Sequence, residues 1–321
     1  MTVDFLEVKN LKTCFFTRWG TVKAVDGVSF SLKQGETLGL VGESGCGKSI
    51  TCLSILRLVP QPAGQIVDGQ ILLEGEDLRK KSEVEMRKVR GAKISMILQD
   101  PMSSLNPVFS IGDQLTEAIK IHRDLRGKNM WQRAREVLKM VQIPSPELCL
   151  KSWPHQLSGG MRQRVVGAIC LSCEPRLLIA DEPTTSLDAT IQVQYLRLLR
   201  EIQEKAKLTL IFVTHDFGIV ARMCKRVAVM YAGRIVEMAD VKKLFDHPAH
   251  PYTEALMKAV PKMETKERLA TIAGQPPPLW DLPPGCIFAP RCPYVKDECR
   301  EQYPPTVEIQ NGHSLSCWKY F

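Results

Sequence analysis

No stretch of this 321-residue sequence approaches the roughly 20 consecutive apolar residues that a membrane-spanning helix needs. Short runs such as residues 208–213 have the length of a buried strand instead. The opening residues, Met-Thr-Val-Asp-Phe-Leu-Glu, lack the basic start and apolar core of an export signal. The chain is therefore expected to stay in the cytoplasm and to reach a membrane only through partners. No internal repeat and no sustained heptad pattern is present, which argues against a long coiled-coil insertion. Charge is not strongly one-sided: 43 basic residues face 35 acidic ones, a net charge of +8. That balance suits anionic partners such as phosphates, nucleic acid or an anionic membrane face, and equally a plain solvated surface. The cysteines number 11, an odd count, and in a reducing compartment no disulfide framework is expected. Seven lie scattered in apolar or loop contexts. Four crowd into the tail.

What is present fits a globular protein of one large or two smaller domains, with 44% hydrophobic and 24% charged residues. Residues 3–9 and 25–32 read as strands, and Gln34-Gly35-Glu36 as a turn. Residues 37–41 form a short apolar run that feeds into Gly42-Glu43-Ser44-Gly45-Cys46-Gly47-Lys48-Ser49, and residues 50–58 have helical spacing. Strand, glycine-rich loop and helix make the context of the phosphate-loop pattern G-x-x-x-x-G-K-[ST]. That pattern alone arises by accident in about one chain in a hundred of this length. Residues 113–123 and 130–141 read as amphipathic helices closed by Pro144-Ser145-Pro146. Residues 177–180 and 209–213 read as buried parallel strands joined by a helix over 189–205, a βαβ unit. Beyond Asp246 the prolines, Pro248, Pro251, Pro261, Pro276 to Pro278, Pro283, Pro284, Pro304 and Pro305, exclude long regular elements. The tail reads as a loosely wrapped module that needs something to hold it together.

The loop carries a recognisable chemistry. Glycines let backbone N–H groups approach phosphate oxygens, and the following helix adds its positive end. Gly42, Ser44, Gly45 and Gly47 form the cradle, Lys48 reaches the β- and γ-phosphates, and the Ser49 hydroxyl meets Mg²⁺. Cys46 sits at a variable position with no assigned role. Asp181 ends the apolar strand of residues 177–180, where a carboxylate can meet the Mg²⁺ shell, and Glu182 follows it.

Leu157-Ser158-Gly159-Gly160-Met161-Arg162-Gln163-Arg164 lies between these two motifs and resembles the signature sequence of the ABC ATPases. The resemblance covers essentially the whole chain. It implies an α/β fold: an ABC-type P-loop nucleotide-binding domain over residues 1–244, with a RecA-like core, an antiparallel β subdomain and a helical insertion at about 100–165. A small Pro/Cys-rich module would follow over 245–321. It implies an ATPase that uses ATP and Mg²⁺, with Glu182 as general base and Gln99, in Ile97-Leu98-Gln99-Asp100-Pro101, as the Mg²⁺-contacting residue of a Q-loop. Mg²⁺ would be shared by Ser49, Gln99 and Asp181. His215 matches the switch histidine, and Ser186-Leu187-Asp188 the D-loop. Ser158 and Gly160 start a helix whose tip faces the γ-phosphate held by the opposite subunit, so one chain alone would not complete a hydrolytic site. Trp19, with Phe16 as competitor, matches the aromatic platform for adenine.

His250-Pro251-Tyr252-Thr253, Asp181 to Asp188 and Gln99 to Pro107 resemble the branch that imports dipeptides and oligopeptides. The resemblance implies a second ABC ATPase as heterodimer partner and two membrane permeases. A solute-binding protein outside the membrane would take part indirectly, nucleic acid would not, and the chain would lie on the cytoplasmic face of the cell membrane. Alternatives are a related importer of nickel or another small solute, a soluble ABC ATPase acting on nucleic acid or ribosomes, and an exporter cassette, which usually comes fused to membrane helices. The tail cysteines are spaced Cys286-x5-Cys292-x6-Cys299-x17-Cys317. This is neither the close pairing of zinc modules nor the bacterial ferredoxin run. The segment around Cys286 and Cys292 resembles tails that hold a [4Fe–4S] cluster on four cysteines. Zinc and unligated thiols remain alternatives.

Overall fold

The computed structural model describes residues 4–100, 104–185, 187–260 and 271–321. Val3 of the first expected strand, Pro101, Met102 and Ser103 of the Q-loop run, Ser186 of the D-loop and Pro261 of the tail lie outside the described residues. In chain order the strands are β1 (Leu6–Thr17), β2 (Gly20–Leu32), β3 (Thr37–Val41), β4 (Gly64–Leu73), β5 (Glu76–Asp77), β6 (Ile94–Ile97), β7 (Leu177–Asp181), β8 (Thr209–Thr214), β9 (Arg226–Tyr231), β10 (Arg234–Asp240), β11 (Val307–Gln310) and β12 (His313–Leu315). The α-helices are α1 (Lys48–Ile55), α2 (Glu83–Val89), α3 (Ile111–His122), α4 (Gly127–Met140), α5 (Pro146–Lys151), α6 (Gly159–Leu171), α7 (Ala189–Ala206), α8 (Phe217–Met223), α9 (Val241–Asp246), α10 (Pro251–Lys258) and α11 (Glu298–Glu301). They fall into two compact units, one within Met1–Leu32, Thr37–Arg79 and Val213–Phe321, the other within Lys33–Glu36 and Lys80–Phe212.

The first unit contains an antiparallel sheet in the order β2-β1-β4-β5. Along β1 the pairing register shifts between Val8 and Leu11. Asn10 sits there in the left-handed region, and this irregularity keeps Leu6, Val8 and Leu11 all buried. The same unit holds the strand series β11-β12-β10-β9-β3. Strand β3 runs parallel to β9 and is buried along its whole length, which is why it reads as a continuous apolar run. The turn from β9 to β10 is two residues long, Ala232 and Gly233, both with positive φ. That is the turn geometry whose twist matches paired strands.

The second unit holds β6, β7 and the first four residues of β8, Thr209 to Phe212, in the strand order β8-β7-β6, with β6 parallel to β7. Strands β7 and β8 are fully buried, and α7 connects them as the βαβ reading expects. Three helices, α3, α4 and α5, occupy the stretch where two were expected. Ser110 caps α3 by accepting from the Asp113 N–H. Pro146 was expected to close a helix and instead opens α5, because proline at the first helical position loses no hydrogen bond. Leu115, Ile119, Val137, Leu138 and Leu150 form the buried faces of these helices.

The tail departs from the expectation of a loosely wrapped segment. Tyr252, Ile287, Phe288 and Leu315 are fully or almost fully buried. Tyr231 of β9 packs against Tyr252 and Phe288, with ring centroids 4.6 and 5.3 Å away. Strand β12 pairs with β10 in antiparallel register, Glu237 opposite Leu315. The prolines do little harm because they fall where they are tolerated: Pro251 at the start of α10 and Pro290 in the tight turn Ala289–Arg291. Glu237 is buried and satisfied. It pairs with His313 at 2.7 Å and accepts from the N–H groups of Ala249 and His250 at 2.8 and 2.9 Å.

Candidate active site

The phosphate loop sits where β3 ends and α1 begins. Gly42 and Gly47 are there for steric reasons. A Cβ on Gly42 would lie 2.2 Å from the Met230 carbonyl oxygen, and one on Gly47 the same distance from that of Ala24. Gly47 also needs a φ of +102°. Gly45 has positive φ and open space around it, and with Ser44 it is exposed. Helix α1 has no side-chain cap and no acidic residue in its first turn, so its N-terminal end remains attractive to an anion. The buried Lys48 ammonium donates to the carbonyls of Gly42 and Glu43 at 2.8 and 3.0 Å and lies 3.6 Å from the Cys46 sulfur. Burial raises the Cys46 thiol despite the adjacent Lys48. The Cys46 carbonyl accepts from the Gly233 N–H at 2.9 Å, which ties the loop to the β9–β10 turn. Ser49 is half-buried in the first turn of α1.

In the second unit the parallel pairing sets Ile97 opposite Ala180. Gln99 and Asp181 therefore both fall at the carboxyl ends of neighbouring strands, the usual place for ligand-binding residues in parallel sheets. Asp181 is buried. Glu182 adopts a φ of +44°, an unusual conformation for a non-glycine residue. Its carboxylate accepts from the Gln99 amide at 3.0 Å and from the Thr185 hydroxyl at 3.1 Å. Two of the residues singled out in the sequence are thus in direct contact, although 83 positions apart.

The signature segment presents a helix tip. Ser158 caps α6, accepting from the Met161 N–H at 3.3 Å, and Ser158 and Gly159 are exposed. Gly160 has a packing reason to be glycine: a Cβ there would meet the Ile191 side chain at 2.8 Å. Asp188 caps α7, accepting from the Thr190 and Ile191 N–H groups at 3.1 and 3.0 Å. In the first unit, His215 is exposed in the loop between β8 and α8. That loop is shaped by Asp216, which caps α8 and donates its N–H to the Thr214 hydroxyl. Trp19 is 73% exposed at the β1–β2 turn, with the Arg18 guanidinium 4.6 Å above its ring. Phe16 is 49% exposed, so exposure does not separate the two aromatic candidates.

Cys286, Cys292, Cys299 and Cys317 all line one cavity of about 60 Å³. Burial raises the thiols of Cys286, to about 11, and of Cys292 and Cys317. Among the described residues, no group of three or more His, Cys, Asp or Glu side chains is arranged to hold a metal ion. The sequence assigned no site role to Glu43 or Arg291 and marked Tyr252 only within the motif His250-Pro251-Tyr252-Thr253, yet the structure joins the three at the phosphate loop. Arg291 makes a two-pronged ion pair with Glu43 at 2.7 and 3.0 Å, and the Glu43 N–H donates to the Tyr252 hydroxyl at 2.9 Å.

The first unit carries a glycine cradle with an anion-attracting helix and a buried lysine, the second an Asp-Glu pair ending a parallel strand, and each is a feature of P-loop ATPases of mixed α/β architecture. The profile of the ABC transporter family matches residues 25–185, and that of the oligopeptide/dipeptide transporter C-terminal region matches residues 236–299. A probable peptide ABC transporter ATP-binding protein of Sinorhizobium fredii is 49% identical over 316 residues, covering 98% of this chain and 94% of that protein. The oligopeptide transport ATP-binding protein AppD of Bacillus subtilis is 49% identical over 316 residues, 98% of this chain and 96% of its own length. Among solved structures, the dimeric ATP-binding cassette MJ0796 in a post-hydrolysis state, bound to ADP and Pi, matches with a TM-score of 0.66. It is 26% identical and covers 74% of this chain and 98% of its own. The chain belongs to the ABC transporter family, as an ATP-binding, ATP-hydrolysing member. Among the described residues, no helix is long and apolar enough to cross a membrane.

Proposed function

We propose that this chain is the ATPase subunit that powers import of dipeptides or oligopeptides, acting on the cytoplasmic face of the cell membrane. The observation that carries the reading is the tail over 236–299, which matches the C-terminal region of oligopeptide/dipeptide transporters. In this reading residues 1–244 are the motor, with the helices between 100 and 165 as its coupling insertion, and residues 245–321 are the appended Pro/Cys-rich module. A second ABC ATPase pairs with the chain, and the pair docks on two permeases that meet an extracytoplasmic solute-binding protein.

The residue roles follow from chemistry. Gly42, Ser44, Gly45 and Gly47 offer the phosphates backbone N–H groups, and Lys48 neutralises their charge. Trp19 supplies a stacking surface for adenine. Ser49, Asp181 and Gln99 are oxygen donors, which suits a hard divalent cation. Mg²⁺ held there offsets charge on the phosphate oxygens. Glu182 takes the proton of the attacking water, worth roughly 10²–10⁴-fold, and Gln99 holds its carboxylate in place. His215 senses the γ-phosphate. Ser158 and Gly160 present the exposed tip of α6 to the nucleotide of the partner ATPase, and Asp188 fixes the start of α7 beside the pair contact.

The four tail cysteines are proposed to hold a [4Fe–4S] cluster. The support is that all four thiols line one cavity, and that the segment around Cys286 and Cys292 resembles tails that carry such a cluster. Such a cluster would cross-link the module. The test of the function is uptake by vesicles that carry the assembled transporter. The reading expects labelled dipeptide or oligopeptide to accumulate with ATP, and accumulation to stop with Lys48→Ala in this chain. Accumulation of nickel without peptide would contradict it.

A further inference from the structure

We infer that Arg291 and Tyr252, both in the tail, are positioning residues for the phosphate loop, acting through Glu43. Glu43 is the second residue of the loop, and each of its polar groups is engaged. Its carboxylate takes both prongs of Arg291. Its N–H donates to the Tyr252 hydroxyl, and its carbonyl accepts from the Lys48 ammonium. The tail therefore fixes the residue on which the phosphate-binding lysine is moored. The tail side of the clamp is buried and hydrogen-bonded. The Arg291 side chain is 3% exposed. Its Nε donates to the Ala273 carbonyl at 3.0 Å, and its Nη1 lies 3.4 Å from the Tyr231 hydroxyl. Tyr252 is fully buried, packed on Tyr231 and Phe288.

Electrostatics explains why such a clamp matters. A free carboxylate in a loop built to receive polyanionic phosphate repels the ligand. A bidentate arginine cancels that charge and fixes its direction. The guanidinium comes from the short turn Ala289–Arg291, between Cys286 and Cys292, so the fold of the cysteine module is a condition for a well-set ATP loop.

The test is calorimetric titration of the full-length chain with ATP and Mg²⁺, beside melting without nucleotide. Tyr252→Phe removes one hydroxyl and leaves the ring. It is expected to weaken ATP binding roughly fivefold, the value of one hydrogen bond, with nucleotide-free melting lowered by only about 2 °C. Arg291→Met leaves Glu43 uncompensated and is expected to weaken binding about tenfold or more. Glu43→Gln combined with Arg291→Met removes the stranded charge and is expected to bind ATP several times more tightly than Arg291→Met alone. In the assembled transporter the loss falls on KM for ATP and not on kcat. The inference is overturned if Tyr252→Phe and Arg291→Met both bind ATP within twofold of wild type, or if the double variant is no better than Arg291→Met. Should Arg291→Met fail to fold, Tyr252→Phe decides by the same twofold criterion.

Discussion

His250 gives the chain a calculable sensitivity to acid. Its ring is fully buried, and burial pushes its pKa down to about 3, against a weaker opposing backbone hydrogen bond at Ser316. Its Nδ1 accepts the Tyr252 N–H at 3.1 Å and caps α10, a role that requires the neutral ring. The unfolded chain holds the same histidine near pKa 6.5. Between these values the unfolded state binds more protons than the native one, so stability is complete above about pH 6.5 and falls as pH drops toward 3. Each pH unit in that window costs about 1.4 kcal/mol. At pH 5, some 1.5 units below the unfolded value, the loss is about 2 kcal/mol, a sizeable part of ordinary domain stability. His250→Asn keeps an oxygen that accepts the Tyr252 N–H and cannot titrate. Urea unfolding of both proteins at pH 7.5 and pH 5 isolates the contribution, since every other ionisable side chain is common to both. Wild type is expected to lose about 2 kcal/mol more than the variant. Equal losses would refute the assignment of a buried, neutral His250.

Other consequences are as direct. Gly47→Ala forces a Cβ to 2.2 Å from the Ala24 carbonyl at a left-handed φ, so ATP binding by calorimetry should vanish, with about 1–3 kcal/mol lost in unfolding experiments. Asp188→Ala removes two capping bonds from α7 and should cost about 1 kcal/mol in the same experiments. Burial raises the Cys286, Cys292 and Cys317 thiols, so loading with iron and sulfide should release protons, detectable in weakly buffered solution. Anaerobically purified protein should contain about four iron and four sulfide per chain. Zinc in their place would count against the cluster.

The parts of this protein that sequence makes legible are those fixed by neighbours in the chain. Strand β3, its glycine loop and helix α1 are read off together because buried run, tight backbone and helix start each leave a local mark. The βαβ unit from β7 to β8 is legible for the same reason. Helix α5 escaped because it is short and opens on a proline. The core of the tail escaped because half of it comes from elsewhere: Tyr231 lies on β9 and Glu237 on β10, far from Phe288 and His313 in sequence. The loop's own clamp escaped most completely, since Glu43 and Arg291 are 248 positions apart and the phosphate-loop pattern admits any residue at position 43. The contact of Gln99 with Glu182 was beyond sequence reading as geometry, but both residues carried a signal, each lying just past an apolar strand. The choice between Trp19 and Phe16 rests on spacing alone in the sequence and on similar exposure in the fold.

The central claim is that Lys48 and Glu182 serve one reaction, the first by binding phosphate and the second by activating water. Phosphate release from ATP by the assembled transporter, measured with Glu182→Gln in this chain, tests it most directly. The account predicts that ATP stays bound to this chain while its hydrolysis there falls by about 10²-fold or more. Release at the wild-type rate from the same nucleotide would contradict it.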